Sequence, residues 1–268
     1  MKQITALAML AVTNSFAFDQ YLPVARGKFE SDAIVDYSSI TGEYDSNGKK
    51  QSLPSGWSES VIGPALQFKY GVIDDLDVSL GLSYPFVSSK IEILGVSQSK
   101  NANGLGRPDL AVKYVPKDLG IGGFVDVVLP MGSKKIVGDK PATTIIPGVL
   151  FGKTFDKIVV NALAGYVFNT EVDKIKQDRL DVYAQGQYNV APLVGPYLGL
   201  DFTKAFQEKD DGKSVAGTDG YLLTLEPGAN LTIDDKMAIE LNVPFTVLGK
   251  NAASSWGVAA NFRYTLGL

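Results

Sequence analysis

The chain ends on Trp256-Gly-Val-Ala-Ala-Asn-Phe-Arg-Tyr-Thr-Leu-Gly-Leu268, and this stretch decides the fold class. Every second residue from Trp256 is apolar or aromatic, and the residues between them are small or polar. A period of two indicates a β-strand with one apolar face. Because strands of soluble β-sandwiches show the same alternation, the rest of the chain has to distinguish a sandwich from a membrane barrel.

The amino terminus predicts export from the cytoplasm. Lys2 supplies a positive charge, residues 4–12 are apolar, and Ser15-Phe-Ala17 forms a small-x-small cleavage site. We therefore predict a signal peptide over residues 1–17 and a single domain over residues 18–268. No later apolar run approaches the roughly 18 to 20 residues that a spanning helix needs. An exported chain of this kind is a soluble periplasmic or secreted domain, or an outer-membrane β-barrel.

Composition removes most chemical functions. The chain has 28 Gly, 13 Phe and 12 Tyr, but no Cys and no His. Without Cys there are no disulfides or thiolate metal sites, and without His the usual general base near neutral pH is missing. Removal of residues 1–17 takes one of 25 basic residues and none of 29 acidic ones, leaving a net charge of −5. We predict no enzymatic activity, no cofactor, no metal and no nucleic-acid partner.

About twelve segments alternate with a period of two, and bacterial single-chain barrels have an even number of strands. They lie around residues 28–38, 61–72, 76–86, 109–115, 125–131, 143–155, 158–168, 179–189, 194–206, 221–233, 237–246 and 256–268.

The connections between these segments alternate in length. Short turns follow the even segments, whereas longer polar connections follow the odd ones, near residues 39–59, 87–105, 132–142, 170–177, 207–219 and 248–254. The predicted fold is all-β: an antiparallel transmembrane β-barrel of about twelve strands with short periplasmic turns and long extracellular loops. The last strand resembles the closing strand of such barrels, although these usually end on Phe and this chain ends on Leu268.

Aromatic residues and prolines refine this prediction. In this register the aromatic residues fall near the two ends of the strands, as in the girdles that flank the apolar band of a barrel. Prolines interrupt β-ladders because they lack an N–H group. We therefore expect bulges or strand ends at the six prolines within predicted strands, Pro64, Pro85, Pro130, Pro147, Pro227 and Pro244.

Residues 103–114, Asn-Gly-Leu-Gly-Arg-Pro-Asp-Leu-Ala-Val-Lys-Tyr, resemble a segment of outer-membrane proteins of the MetA-pathway of phenol-degradation transporter family. Members of that family carry a Gly-Leu-Gly-Asp-like loop that leads into a strand of the Leu-x-Leu-Lys-Tyr kind. Here Arg107-Pro108 is inserted before Asp109. The resemblance implies a barrel that passes small, often aromatic or apolar, compounds.

Charged residues on the predicted inward faces are the candidate lumen-lining residues. They are Lys69, Asp77, Asp109, Lys113, Asp126, Arg179, Asp181, Asp201, Glu226, Glu240 and Arg263. Arg263 is predicted to pair with Glu240 on the neighbouring strand. Such pairs serve either to neutralise charge inside a narrow barrel or to form a constriction that binds a polar group of a solute, and we favour neutralisation.

Other chemistry is weakly supported. A carboxylate pair of the glycosidase type would use Glu226 and Glu240, but polar inward residues are expected of any barrel lumen. Asp45-Ser-Asn-Gly48 resembles the start of a calcium loop, yet the twelfth position is Gly56 instead of Glu. Residues 119–123 are Gly-rich but precede a strand, so they lack the helix start that holds a phosphate.

The sequence thus predicts an outer-membrane channel for passive passage of small solutes, and the resemblance extends this to aromatic or apolar ones. Its expected partners are outer-membrane lipid, the barrel-assembly machinery through the C-terminal strand, and an unidentified solute. One alternative is a structural or surface-binding barrel whose lumen is filled by side chains. A second alternative is a soluble periplasmic β-domain.

Overall fold

The computed structural model describes residues 22–93, 96–116 and 119–267, and the predicted signal peptide lies outside these ranges. The described strands are β1 (Lys28–Tyr44), β2 (Lys50–Ser52), β3 (Ser58–Ile73), β4 (Leu76–Ser83), β5 (Phe86–Ile93), β6 (Val96–Asn103), β7 (Asp109–Tyr114), β8 (Ile121–Val128), β9 (Thr144–Phe155), β10 (Ile158–Asn169), β11 (Ile175–Lys176), β12 (Arg179–Tyr188), β13 (Val194–Ala205), β14 (Lys209–Asp210), β15 (Lys213–Ser214), β16 (Gly220–Thr232), β17 (Met237–Asn242), β18 (Phe245–Lys250) and β19 (Ala252–Gly267). A single described helix, α1, covers Lys134–Val137. Among the described residues, no helix has the length and apolar character needed to cross a membrane.

The sheet closes on itself. Each strand pairs antiparallel with its neighbours, and β1 pairs with both β19 and β3, so that Ile34 lies opposite Asn261 on one side and Ala65 on the other. Three barrel strands consist of two segments in line, namely β4 with β5, β6 with β7, and β17 with β18. The predicted all-β class and the closed antiparallel barrel of twelve strands are confirmed.

The barrel turns polar side chains inward and apolar side chains outward. On β13, Leu198 is 51% exposed whereas Asp201 is 7% exposed, and residues 194–201 alternate in this way. A soluble domain buries its apolar face, so this pattern contradicts the soluble alternative and fits a barrel surrounded by lipid. Exposed aromatic residues lie near the short-turn ends of the strands at Tyr70, Tyr114, Phe155 and Tyr188. On the other side of the apolar band they are Tyr84, Phe86, Phe168 and Trp256, and beyond Phe86 the outward residues of β5 are polar.

Several strands extend beyond the predicted segments. β1 continues to Tyr44, and most of residues 87–105, predicted as a loop, belong to β5 and β6. The predicted loop at residues 248–254 is wrong, since β18 and β19 are separated by Asn251 alone. Asn251 has φ 47, a left-handed conformation that Asn tolerates better than most residues. These extensions were missed because beyond the apolar band both strand faces are polar, and the period of two disappears.

Four prolines sit where a ladder is interrupted. Pro85 separates β4 from β5, and Pro244 separates β17 from β18. Pro64 on β3 lies where the pairing passes from β5 to β4. Pro227 on β16 lies where the pairing passes from β18 to β17. Since proline cannot donate to a ladder, these positions accommodate it at no further loss of hydrogen bonds. The expectation of strand ends is met at Pro85, Pro130 and Pro244, whereas Pro147 lies inside β9 without a register shift.

The depth of an outward residue should determine the effect of a charge placed there. Leu241 points outward and pairs with Ala260 near the middle of β19. We expect Leu241→Arg to lower the free energy of unfolding by about 2 to 4 kcal/mol, as found for Arg near a bilayer midplane. Leu266, outward near the end of β19, is the matched control, and Leu266→Arg should cost roughly 0 to 1 kcal/mol. Urea unfolding in liposomes measures both, and equal costs would contradict the register.

Candidate channel lumen

A cavity of about 980 Å³ occupies the barrel interior. At one end it is lined by residues of the long connections, including Trp57 and Ile175. At the other end it reaches Asp77 and Lys113, which lie at the short-turn ends of β4 and β7. The cavity therefore extends along most of the barrel height.

Seven of the eleven candidate residues line this cavity. They are Asp77, Asp109, Lys113, Asp126, Arg179, Asp181 and Asp201. The other four, Lys69, Glu226, Glu240 and Arg263, are buried but do not line it. All eleven side chains occupy the inward-facing positions of their strands.

Lys69 and Arg263 belong to a buried cluster of four charges. The Lys69 ammonium lies 2.9 Å from Asp32 Oδ2 and 3.2 Å from Glu30 Oε1. The Arg263 Nε lies 2.9 Å from Asp32 Oδ1 and 3.2 Å from Glu30 Oε1. Two cations and two carboxylates from β3, β1 and β19 thus meet where the first and last strands join.

This cluster corrects the pairing predicted for Arg263. Arg263 forms ion pairs with Glu30 and Asp32 of β1, whereas the prediction considered only Glu240 on β17. Glu240 lies opposite Asn261 in the ladder instead. Glu30 and Asp32 were not among the predicted lumen-lining residues. Both lie on the inward face of β1, and closure of the barrel brings this strand beside β19.

A second ion pair lies at the short-turn end of the cavity. Lys113 Nζ is 3.3 Å from Asp77 Oδ2, which also accepts a hydrogen bond of 2.9 Å from the Val24 backbone N–H. Lys113 Nζ donates to the Leu22 carbonyl oxygen at 3.4 Å. The segment that precedes β1 is therefore held against this end of the lumen. Gly71 permits the close approach, since a Cβ there would lie 2.1 Å from the Ala25 carbonyl oxygen.

Two arginines lie on the wall nearer the long connections. Arg179 Nε is 2.9 Å from Asp181 Oδ2 on the same strand. The Arg107 guanidinium donates to the backbone carbonyl oxygens of Val128 and Ala142, and to Thr144 Oγ1 at 2.9 Å. The Arg107-Pro108 insertion therefore links the connection before β7 to the end of β8 and the start of β9.

Other inward carboxylates are unpaired. Within the described ranges, no Lys or Arg nitrogen lies within 4 Å of the carboxylates of Asp109, Asp126, Asp201, Glu226 or Glu240. Asp126 Oδ1 and Glu226 Oε2 are buried and have no hydrogen-bond partner among the described residues.

Tyrosines over glycines fill part of the interior beside the cavity. A Cβ at Gly199 would lie 2.6 Å from Tyr183 Oη, and a Cβ at Gly228 would lie 2.4 Å from Tyr197 Cζ. Each ring thus covers a glycine of the neighbouring strand. Asn230 Nδ2 donates to Gln187 Oε1 at 2.6 Å in the same region. The lumen is therefore packed on this side and open along β4, β7 and β8.

The calcium-like fragment forms a turn. Asp45 Oδ1 accepts hydrogen bonds from the Asn47 and Lys49 N–H groups at 2.8 and 2.9 Å. These backbone hydrogen bonds hold the pKa of Asp45 below its usual value, and Gly48 supplies a φ of 77. The fragment is thus a solvent-exposed turn. No group of three or more acidic side chains in the described part of the chain is arranged to hold a metal ion.

Charged residues also meet at the long-connection rim. Asp219 Oδ2 accepts from Lys250 Nζ at 3.0 Å and from Lys204 Nζ at 3.3 Å. These two hydrogen bonds lower the pKa of Asp219. They link β13, the connection before β16, and β18 across the outside of the lumen entrance.

Comparison with solved structures finds similar barrels. The COG4313 outer membrane channel from Pseudomonas putida F1 has a TM-score of 0.75 at 15% identity, with 92% of this chain and 98% of that chain covered. The β domain of the Bordetella autotransporter BrkA has a TM-score of 0.57 at 12% identity, with coverage of 90% and 99%. The TodX monoaromatic hydrocarbon channel, as the deltaS2 mutant, has a TM-score of 0.50 at 13% identity, with 91% of each chain covered.

At the level of sequence, neither a family model nor a curated protein matches the chain. The similarities above are all below 25% identity and establish a shared fold. Both channels and autotransporter domains carry this fold, so the fold alone does not specify a function.

The cluster of Lys69, Arg263, Glu30 and Asp32 lies at the seam, where β1 and β19 join, and should contribute strongly to the stability of the barrel. Lys69→Met keeps the length of the side chain but leaves Glu30 and Asp32 with one cation, and we expect a loss of about 3 to 5 kcal/mol of unfolding free energy. Lys90→Met removes an exposed ion pair with Glu92 and should cost less than about 1 kcal/mol. Chemical unfolding followed by tryptophan fluorescence compares the two. Equal losses would show that the cluster is hydrated like a surface pair.

Proposed function

We propose that the chain is an outer-membrane channel that lets small solutes pass passively. The observation that carries this proposal is the cavity of about 980 Å³, which extends from the long connections to the short-turn end of the barrel. A barrel with a purely structural role would fill that volume with side chains. The proposal places residues 18–268 in one barrel domain after a signal peptide of residues 1–17.

Charged and apolar residues both line the cavity wall, and Val167 lies directly opposite Arg179 in the ladder. Trp57, Leu163 and Val167 offer apolar contacts, whereas Asp109 and Asp126 lie on another part of the wall. Apolar contacts of this kind suit a small organic solute, including an aromatic one. The COG4313 channel and the TodX monoaromatic hydrocarbon channel have similar barrels, which supports the same class of function here.

The short turns face the periplasm in this proposal, and the long connections face the exterior. Outer-membrane lipid covers the apolar outer face, and the barrel-assembly machinery acts on β19. Residues Lys69, Asp77, Asp109, Lys113, Asp126, Arg179, Asp181, Asp201, Glu226, Glu240 and Arg263 form the polar interior around the path.

We assign no catalytic role to this interior. The chain has no His, and the carboxylate pair considered from the sequence, Glu226 with Glu240, does not line the cavity. A solute in the cavity would therefore not reach both carboxylates.

The alternative is a barrel that does not transport and acts through its long connections. The tyrosines packed over Gly199 and Gly228 favour it, because they fill one side of the interior. The cavity along β4, β7 and β8 favours transport. Conductance distinguishes the two functions.

Refolded protein in planar lipid bilayers should produce discrete conductance steps. Ala111 lines the cavity, and Ala111→Trp should lower the step size by at least about half because the indole occupies the path. Ala184 faces outward on β12, and Ala184→Trp should leave the step size unchanged. No steps above the lipid background with the unmodified protein would contradict the channel function. Equal conductance for the two variants would mean that ions do not pass through this cavity.

A further inference from the structure

We propose that the lumen selects solutes by charge, so that cations and organic solutes with one positive group pass while anions of equal size are held back. This inference rests on the proposed channel function and specifies the class of solute. It starts from a charge excess. Among the described residues, the buried charged side chains comprise nine carboxylates and three cations.

Each of the three cations already forms ion pairs with buried carboxylates. Lys69 and Arg263 form ion pairs with Glu30 and Asp32, and Lys113 forms one with Asp77. Six buried carboxylates then have no Lys or Arg nitrogen within 4 Å in the ranges that the structure describes. They are Glu59, Asp109, Asp126, Asp201, Glu226 and Glu240. When these carboxylates are ionised, the interior potential is negative, and a low-dielectric wall strengthens it.

Three of these carboxylates lie on the cavity. Asp109 and Asp126 are on the adjacent strands β7 and β8, and Asp201 is on β13, four barrel strands further round from β8. The Asp109 carboxylate lies over Gly81, where a Cβ would be 2.1 Å from its Oδ1. One oxygen of Asp126 is buried without a hydrogen-bond partner among the described residues. A buried acceptor without a partner is costly, so a positive group in the cavity is stabilised by meeting it.

The cations that also reach the cavity do not cancel this charge. Arg179 is paired with Asp181, and Lys176 is 3.1 Å from Asp178. Arg107 remains positive, but its guanidinium is turned to backbone carbonyl oxygens and to Thr144 near the long connections. Lys90, Lys100 and Lys135 also line the cavity, but all three are exposed at that rim, where dissolved salt screens their charges within about 10 Å.

A polar interior does not by itself require carboxylates. Gln185 on β12 and Asn242 on β17 are also buried, and they keep their part of the wall polar without adding charge. Asn161 on β10 lines the cavity with an amide. The carboxylates of Asp109, Asp126 and Asp201 add negative charge beyond what a polar wall requires. This charge acts on a solute in the cavity, by attracting cations and repelling anions.

Reversal potentials of the full-length processed protein in a tenfold KCl gradient test the inference. We expect a potassium-to-chloride permeability ratio above about 5. The variant Asp109→Asn/Asp126→Asn/Asp201→Asn keeps the side-chain shapes and should bring the ratio close to one. Asp235→Asn, in the exposed turn between β16 and β17, is the control and should leave the ratio unchanged.

An organic pair of similar size extends the test. Benzyltrimethylammonium and benzenesulfonate share a ring and differ in the sign of their charge, and the first should permeate at least several times faster. Conducting pores with a ratio near one, or a preference for the anion, would overturn the inference and leave the channel function intact. Absence of conductance in every salt would overturn the channel function first. If the triple variant fails to show heat-modifiable gel migration, Asp126→Asn alone should lower the ratio about twofold, and an unchanged ratio would contradict the inference.

Discussion

Closure of the sheet is the constraint on which the rest of this structure depends. In hydrocarbon, every backbone N–H and C=O group needs a partner within the protein, so a spanning sheet cannot keep a free edge. Here the edge is removed by β1, which pairs along nearly its whole length with β19 and also with β3. The join between the chain ends carries the cluster of Lys69, Glu30, Asp32 and Arg263. Four buried ion pairs thus lie where the first and last strands of the barrel meet.

Proline placement follows from the same constraint. An unpaired N–H costs several kcal/mol in lipid, whereas proline has no N–H to leave unpaired. The chain uses Pro85 and Pro244 where β4 and β17 end and the next segments begin in line. Pro64 and Pro227 face these interruptions from the neighbouring strands. The ladder can therefore change partner at both places without leaving donors exposed to hydrocarbon.

Most of the fold could be predicted from the sequence, because lipid and lumen impose opposite requirements on successive residues. The alternation at Leu76–Ser83 and at Val194–Ala205 is strong for this reason. The alternation is lost around Ile91 and Ala252, which lie outside the apolar band, because there neither face of the strand has to be apolar. The interior charges could be predicted as a set, but their partners could not. Arg263 pairs with Asp32, which is more than 200 positions away in the sequence. The order of the strands along the chain does not show which residues of the first and last strands meet.

The interior therefore contains two kinds of charge with different physical roles. At the seam, each carboxylate of Glu30 and Asp32 meets a cation, and the balanced cluster contributes to closure. Along the cavity, Asp126 and Asp201 have no such cation, so they add no ion pair to the fold and leave a desolvation cost. Substitution by amides would lower that cost at constant shape, because a neutral amide is less costly to bury than a charge. The carboxylates of Asp126 and Asp201 are consistent with a lumen in which the solute supplies the positive charge. In the inferred function, carboxylates therefore contribute to stability at the seam and to selectivity along the cavity.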